Sequence, residues 1–374
     1  GLVTIPAAVQ AEEASQHLLT ALSSTQISGF VDTSAQWNFG RGSANVPAIP
    51  YAGAAKQDGF NLNYVQITIQ KPLDANDNWA AGYRVDVGHG PDLAGFGTVG
   101  AGATGIKQAY VALRAPVGNG IDFKMGVFDT IIGYETFERV NNPHYTHSYG
   151  NGIEPTSHTG LLASYQLTEN IGVSVGVANS TAAAINNRTF NATGTGPGHS
   201  ESYKTYMASI TAKAPDSWGA LAGSALYAGV INGAGDVASQ ATQNYYVGAT
   251  INTPWTGVKF GLAYDYRGQE HSGNGTGRQD AVSVYTSVKL SEKLTFLARG
   301  EHFEGGGAPL ANPTAAGFRV LAATATLQYD LWANVLSRLE LRWDHDANGG
   351  PNAYGTDAGR KNDFLLAANV IYKF

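Results

Sequence analysis

The chain has 374 residues, 14% of them charged against about 25% in ordinary soluble domains, with 47 glycines, 19 tyrosines and no cysteine. No apolar run approaches the ~20 residues of a membrane helix, and the lack of cysteine removes disulfides, thiol catalysis and Cys-based zinc sites. A net charge of −6 with a pI near 5.8 argues against a nucleic-acid partner, for which a basic face is expected.

Low charge without apolar runs leaves few folds, and one is a sheet whose faces meet different solvents, lipid outside and water inside. Residues 1–25 stand apart from that pattern. The opening GLVTIPAAVQA resembles the end of a signal peptide, with Ala8-Val9-Gln10-Ala11 as a small-x-small site before Glu12. Ala11 to Leu22 equally fits a short amphipathic helix ahead of the first strand.

From Gln26 onward the chain alternates. In Gln26 to Phe39 one parity carries Ile27, Gly29, Val31, Ala35, Trp37 and Phe39, and the other Gln26, Ser28, Asp32, Ser34, Gln36 and Asn38. That is a strand with two unlike faces. The pattern repeats at Phe60 to Gln70, Trp79 to Gly88, Lys107 to Ala115 and Ile121 to Phe128. It stops over Asp129 to Ser157, an aperiodic stretch rich in Tyr, Asn, His and Glu. It resumes at Thr159 to Leu167, Ile171 to Ala178, Tyr203 to Lys213, Trp218 to Ile231, Asn244 to Asn252, Val258 to Arg267, Ala281 to Leu290, Leu294 to Phe303, Phe318 to Tyr329, Val335 to His345 and Asp363 to Phe374. Within Trp218 to Ile231 the run AGSALYAG fits either register.

These are sixteen strands, an even count that lets an antiparallel barrel close with both termini on one side. The connections alternate between short (KPLDANDN, PVGNG, TEN, APDS, NTPWT, SEK, DLWAN) and long, Gly/Asn/Pro-rich ones, as short periplasmic turns and long external loops do. All six Trp lie at strand ends or turns, in keeping with two interfacial girdles. The final strand ends NVIYKF with a terminal aromatic, similar to the assembly signal of outer-membrane barrels. A soluble β-propeller is disfavoured, because it fits four short strands into ~40 to 50 residues where this chain fits two long ones. The expected fold is therefore an all-β transmembrane antiparallel barrel over residues 26–374, with 129–157 as its third long loop.

Arg338, Glu340, Arg342 and Asp344 occupy alternate positions opposite Leu339, Leu341 and Trp343. On a lipid face each Arg costs ~2 to 4 kcal/mol at the midplane, so these charges face the lumen. The same reasoning turns Asp32, Arg84, Asp86, Arg114, Asp122, Lys124, Lys259, Asp265, Arg267, Lys289, Arg299 and Glu301 inward. Phe30, Tyr64, Tyr110, Tyr285 and Phe303 are lumenal aromatics.

The run GYETFERVNNPHYTHSYGNGIEPTSHTGLLASY, with NVLSRLELRWDHD and the terminal YKF, resembles the OmpL-like putative β-barrel porin family. That resemblance implies an outer-membrane pore. The third loop is similar to the inward-folded constriction loop of general porins. Glu135, Glu138 and Glu154, facing Arg84, Arg114, Arg338 and Arg342, would set up a transverse field, with Arg139, His144, Tyr145 and His147 on the same loop. An external loop packed on its own Tyr and Asn side chains is the other reading.

Catalysis finds little support: His302, on the lipid-side parity, sits near the outer end of its strand. Asp344, Asp346, Asn348 and Gly349 begin like a calcium loop, but position twelve is Gly355 where a Glu is required. His144 and His147 with Glu135 or Glu138 form a weaker metal set than a packed loop. The expected function is passive diffusion of small hydrophilic solutes and ions, without a cofactor, in contact with lipid and lipopolysaccharide and plausibly as a homotrimer. A substrate-specific saccharide channel or a structural, adhesive barrel are the alternatives. Mixed lumenal charges and the net of −6 suggest at most a slight cation preference.

Overall fold

Period-two alternation folds into sixteen strands. The computed structural model describes residues 24–39, 56–74, 77–94, 104–188, 202–234, 241–269, 277–305, 318–348, 354 and 360–374. The signal-remnant and amphipathic-helix readings of the N-terminal segment, and the end of the calcium-like run, lie outside them.

The strands are β1 (Gln26–Asn38), β2 (Gly59–Lys71), β3 (Ala80–His89), β4 (Thr104–Ala115), β5 (Ile121–Asp129), β6 (Ser157–Thr168), β7 (Ile171–Ala178) and β8 (Thr205–Lys213). They continue as β9 (Ala225–Ala234), β10 (Ala241–Asn252), β11 (Val258–Gln269), β12 (Gln279–Lys289), β13 (Leu294–Gly305), β14 (Phe318–Trp332), β15 (Val335–Asp346) and β16 (Asn362–Lys373). Each pairs antiparallel with its sequence neighbours, and β1 pairs with β16, so the sheet closes without an edge. Two short helices, α1 (Pro91–Ala94) and α2 (Tyr149–Ile153), belong to connections.

Closure is completed at the carboxyl end. Gly29 and Phe374 exchange backbone hydrogen bonds of 2.9 and 3.0 Å. A Cβ at position 29 would run into the Phe374 ring, so glycine is what lets the last residue dock.

The ninth strand departs from the alternation reading. It begins at Ala225, not Trp218, because Asp216–Leu221 forms a 3-10 turn. Gly219 (φ 59°) and Gly223 (φ 76°) occupy left-handed conformations that end any extended register there. Trp218 sits exposed on that turn.

The two faces invert the soluble pattern. Val111, Leu113, Met125, Leu226, Val284, Leu339 and Leu341 are exposed on the outside, while Asp32, Gln36, Asn63, Arg299, Glu340, Arg342 and Asp344 are buried inside. Among the described residues no helix is long and apolar enough to cross a membrane; the candidates for crossing are strands.

Candidate functional site

The segment between β5 and β6 runs inside the barrel, against inward-facing side chains of strands far away in sequence. Ile132 packs where Gly229 of β9 has no side chain. Tyr134 stacks on Tyr285 of β12 at 4.1 Å, and Phe137 meets Tyr64 of β2 edge-on at 5.4 Å. Glu138 pairs with Lys107 of β4 at 2.5 Å, and Arg139 with Asp92 of α1. The Tyr145 hydroxyl donates to Gln36 of β1 at 2.8 Å, the Tyr149 hydroxyl to Asp344 of β15 at 2.9 Å, and Asn244 of β10 donates to the Ile153 carbonyl at 3.1 Å.

Local chemistry makes this path possible. Asn142 accepts from the Thr136 N–H at 2.8 Å and donates to the Thr136 carbonyl at 2.6 Å, which closes a tight return. Ser148 caps α2 by accepting from Asn151 N–H at 3.1 Å. These side chains satisfy backbone groups that an aperiodic segment leaves open.

Two wall groups carry most of the anchoring. Glu340 accepts from Tyr145 N–H (2.6 Å), Thr146 N–H (2.9 Å), the Thr146 hydroxyl (2.6 Å) and the Thr326 hydroxyl (2.9 Å). Arg299 donates to Glu301 (2.7 Å), Glu135 (2.8 Å), the Thr146 carbonyl (2.8 Å) and the Thr324 hydroxyl (3.2 Å). Arg342 pairs with Asp344 in a two-pronged contact of 2.8 and 2.9 Å and reaches the His147 carbonyl at 2.9 Å. Arg338 donates to the Arg139 and Asn142 carbonyls.

Burial pushes the Glu135 carboxyl up, but Arg299 and His147 hold it well below the usual carboxylate range. Burial, reinforced by Arg299, pushes His144 well below an ordinary histidine, and its Nδ1 lies 2.7 Å from the Thr326 hydroxyl. Burial and the neighbouring Asp265 raise Glu154 well above the usual range.

The transverse arrangement expected of the loop acids is not what forms. Glu135 and Glu138 meet Arg299 and Lys107 in place of Arg84, Arg114, Arg338 and Arg342, and Glu154 contacts Asp265. The reason is local: the wall carries its own counter-ions two residues apart on one strand face. Arg84 pairs with Asp86 at 2.9 Å, Arg299 with Glu301 and Arg342 with Asp344. Arg114 pairs across to Asp122 at 2.6 Å.

Of the possible metal ligands, Asp344 is engaged by Arg342 and Tyr149, and Asp346 accepts from Asn348 N–H at 2.9 Å. His147 lies 3.4 Å from Glu135 and His144 beside Thr326, and among the described residues no three His, Asp or Glu converge on a metal position. Asp92, Lys107, Asn63, Thr146 and Thr326 are anchors that sequence reading misses. Lys107 was obscured by a register shift opposite Asp86/Val87 of β3, which leaves it as the extra residue of β4 between Ile106 and Gln108 and breaks the alternation.

The loop divides the inner wall into two arcs. Across β10 to β16, β1 and β2 most inward side chains lie buried beneath it, including Arg299, Glu301, Arg338, Glu340, Arg342 and Asp344, while Lys259 and Lys289 stay exposed. Across β3 to β9, Arg84, Tyr110, Arg114, Asp122, Lys124, Ser164, Ser174, Ser209 and Tyr227 are only half-buried.

A closed antiparallel barrel of sixteen strands, apolar outside and charged inside with a long loop turned inward, defines a porin-type outer-membrane channel. Residues 24–374 match the family model Putative beta-barrel porin-2, OmpL-like, and the chain belongs to that family. It is an outer-membrane protein. Solved structures share the fold. The anion-selective porin from Comamonas acidovorans aligns with TM-score 0.62 at 12% identity, covering 94% of this chain and 99% of that one. Salmonella typhi OmpF in complex with daunomycin aligns with TM-score 0.61 at 13% identity over 94% and 97%. The trimer form of Vibrio cholerae OmpT gives TM-score 0.59 at 12% identity over 94% and 99%. No curated protein sequence matches.

Membership fixes the solvent of the outer face. Leu341→Arg, at an exposed outward position of β15, is therefore expected to cost about 2 to 4 kcal/mol in lipid vesicles. Urea unfolding of the vesicle-inserted protein measures it, and a loss below about 0.5 kcal/mol would place Leu341 away from hydrocarbon.

Proposed function

We propose that small hydrophilic solutes and ions diffuse passively along the half-buried arc of β3 to β9, and that the 129–157 loop narrows the lumen by covering the remaining wall. The observation carrying this reading is the contrast between the two arcs. Most polar groups on one are sealed under the loop, while on the other Arg84, Arg114, Asp122 and Lys124 keep access to water beside the buried Asp86, Lys107 and Gln108. The aromatics that could form a saccharide track support a general pore, since Phe30, Tyr64, Tyr285 and Phe303 are buried in loop and wall contacts. The reading involves no catalytic step. A homotrimer is consistent with it, Vibrio cholerae OmpT having a trimer form.

Planar-bilayer conductance tests this directly. Steps linear in salt and unaffected by sugars are expected; saturation with sugar block would favour a specific channel, and an absence of steps would sink both.

Selectivity follows from the charges left uncompensated on the wet arc. Arg84 and Arg114 are paired with Asp86 and Asp122, whereas among the described residues Lys124 has no carboxylate within salt-bridge distance, and it lies over the Tyr110 ring at 5.0 Å. This favours a weak anion preference, opposite in sign to what net charge suggests. Lys124→Glu is expected to move the reversal potential in a KCl gradient to the cation side at nearly unchanged conductance. An unmoved potential would remove Lys124 from the ion path while leaving the pore reading intact.

A further inference from the structure

Where the loop rejoins the wall, two carboxyl groups touch. Glu154, the residue that ends α2, lies against Asp265 of β11. The loop makes room for both with two glycines. A Cβ at Gly133 would overlap Glu154 Oε2, and one at Gly150 would overlap Asp265 Oδ2. Glu154 Oε1 and Asp265 Oδ1 are buried without a conventional hydrogen-bond donor.

An independent feature points to a ligand. Asn244, 2% exposed, spends its amide N–H on the Ile153 carbonyl and leaves Oδ1 buried and unpartnered. Asn244 and Glu154 line one cavity of about 160 Å³, together with Thr156, Thr181, Thr242 and Arg267. Orphaned oxygens of this kind cost about 1 to 3 kcal/mol each unless something donates to them or coordinates them.

We propose that Glu154, Asp265 and Asn244 form a binding site for a divalent cation of the calcium class. The chemistry is that of a hard ion: two carboxylates and an amide oxygen, with neighbouring hydroxyls and water completing a set of six to eight oxygens. Arg267 on the cavity wall opposes any cation, so affinity falls in the weak range of extracellular sites, about 10⁻⁴ to 10⁻³ M. The other ionisable groups facing the pair are Glu135 from the start of the loop and Tyr246 from β10. The inference is independent of where solutes pass.

The test uses the full chain refolded in a neutral detergent at pH 8. Terbium luminescence excited through tyrosine, Tyr246 standing opposite Asp265 in the β10–β11 register, is expected to appear and to be displaced by calcium at sub-millimolar to millimolar levels. Thermal stability should rise saturably with calcium but not with sodium chloride of equal ionic strength. Glu154→Gln keeps the size of the side chain, can donate to Asp265 and should fold, yet lose both responses; Asp265→Asn should do the same. Responses unchanged in both variants would overturn the site. So would a wild-type protein that stabilises on acidification but ignores calcium, because the proton is then the sole partner.

Discussion

Arg299→Ala is expected to destabilise the protein by about 3 to 5 kcal/mol and to free the loop from the β13 wall. The size follows from what is left behind. Arg299 is 1% exposed and holds Glu135 from the loop and Glu301 from its own strand, so truncation strands two carboxylates in a site closed to water. Arg342, 3.2 Å from Glu301, compensates one of them in part. Among the described residues Glu135 keeps His147, the Ser148 N–H and the Tyr285 hydroxyl. Arg299→Lys should recover little, because one ammonium cannot reach Glu301, Glu135, Thr146 and Thr324 together.

The companion substitution separates charge from packing. Arg299→Met with Glu135→Gln removes both ends of the loop-to-wall pair and should be less damaging than Arg299→Met alone, by about 1 to 3 kcal/mol. Urea titration in detergent and single-channel recording read the two consequences, loss of stability and a rise in conductance or its noise. A single variant that kept wild-type stability and conductance would mean that the pair does not hold the loop. The pH sign is fixed by the depressed Glu135 carboxyl. Its contribution is fully present above the ordinary carboxylate value, about 4.3, and is lost only as pH falls through the lower folded-state value.

The wall was legible because lipid and water impose opposite costs on adjacent residues. Leu339-Glu340-Leu341-Arg342 admits one orientation, and every charge placed inward by that cost in β15 is buried inside. The pairing within the wall was also open to reading. Arg84-x-Asp86, Arg299-x-Glu301 and Arg342-x-Asp344 put opposite charges on one face at adjacent levels, and each forms an ion pair. Weighing that spacing turns the expected transverse field into local neutralisation.

The loop's partners were not legible, and the reason is distance along the chain. Tyr145 and Glu340 are 195 residues apart, and Glu135 and Arg299 are 164 apart. No periodicity spans such separations. Composition identifies Asp129 to Ser157 as irregular, but which acid meets which base depends on the course of the loop, set by small features such as the Asn142 bridge to Thr136 and the space at Gly229. Small residues hid the β9 boundary in the same way, since the only large side chains of AGSALYAG, Leu226 and Tyr227, are adjacent and point to opposite faces, so neither parity is favoured.

Glu340→Gln, though nearly isosteric, is expected to cost about as much as Glu340→Ala, roughly 3 kcal/mol. The carboxylate has no donor to offer and needs none, because all four of its close neighbours donate: two backbone N–H groups of the loop and the hydroxyls of Thr146 and Thr326. An amide keeps one acceptor oxygen and replaces the other with an NH₂. In either orientation that NH₂ faces a loop N–H, from Tyr145 on one side or Thr146 on the other, and neither can turn away without breaking the loop backbone. Glu340→Asp keeps the charge but shortens the reach, so it should retain part of the anchoring while Gln retains almost none. The readouts are the urea midpoint and proteolysis within residues 139–147, which is blocked while the loop lies against β15 and opens when it does not. A Gln variant as stable and as protected as wild type would show that Arg299, Arg338 and Arg342 suffice to hold the loop without Glu340.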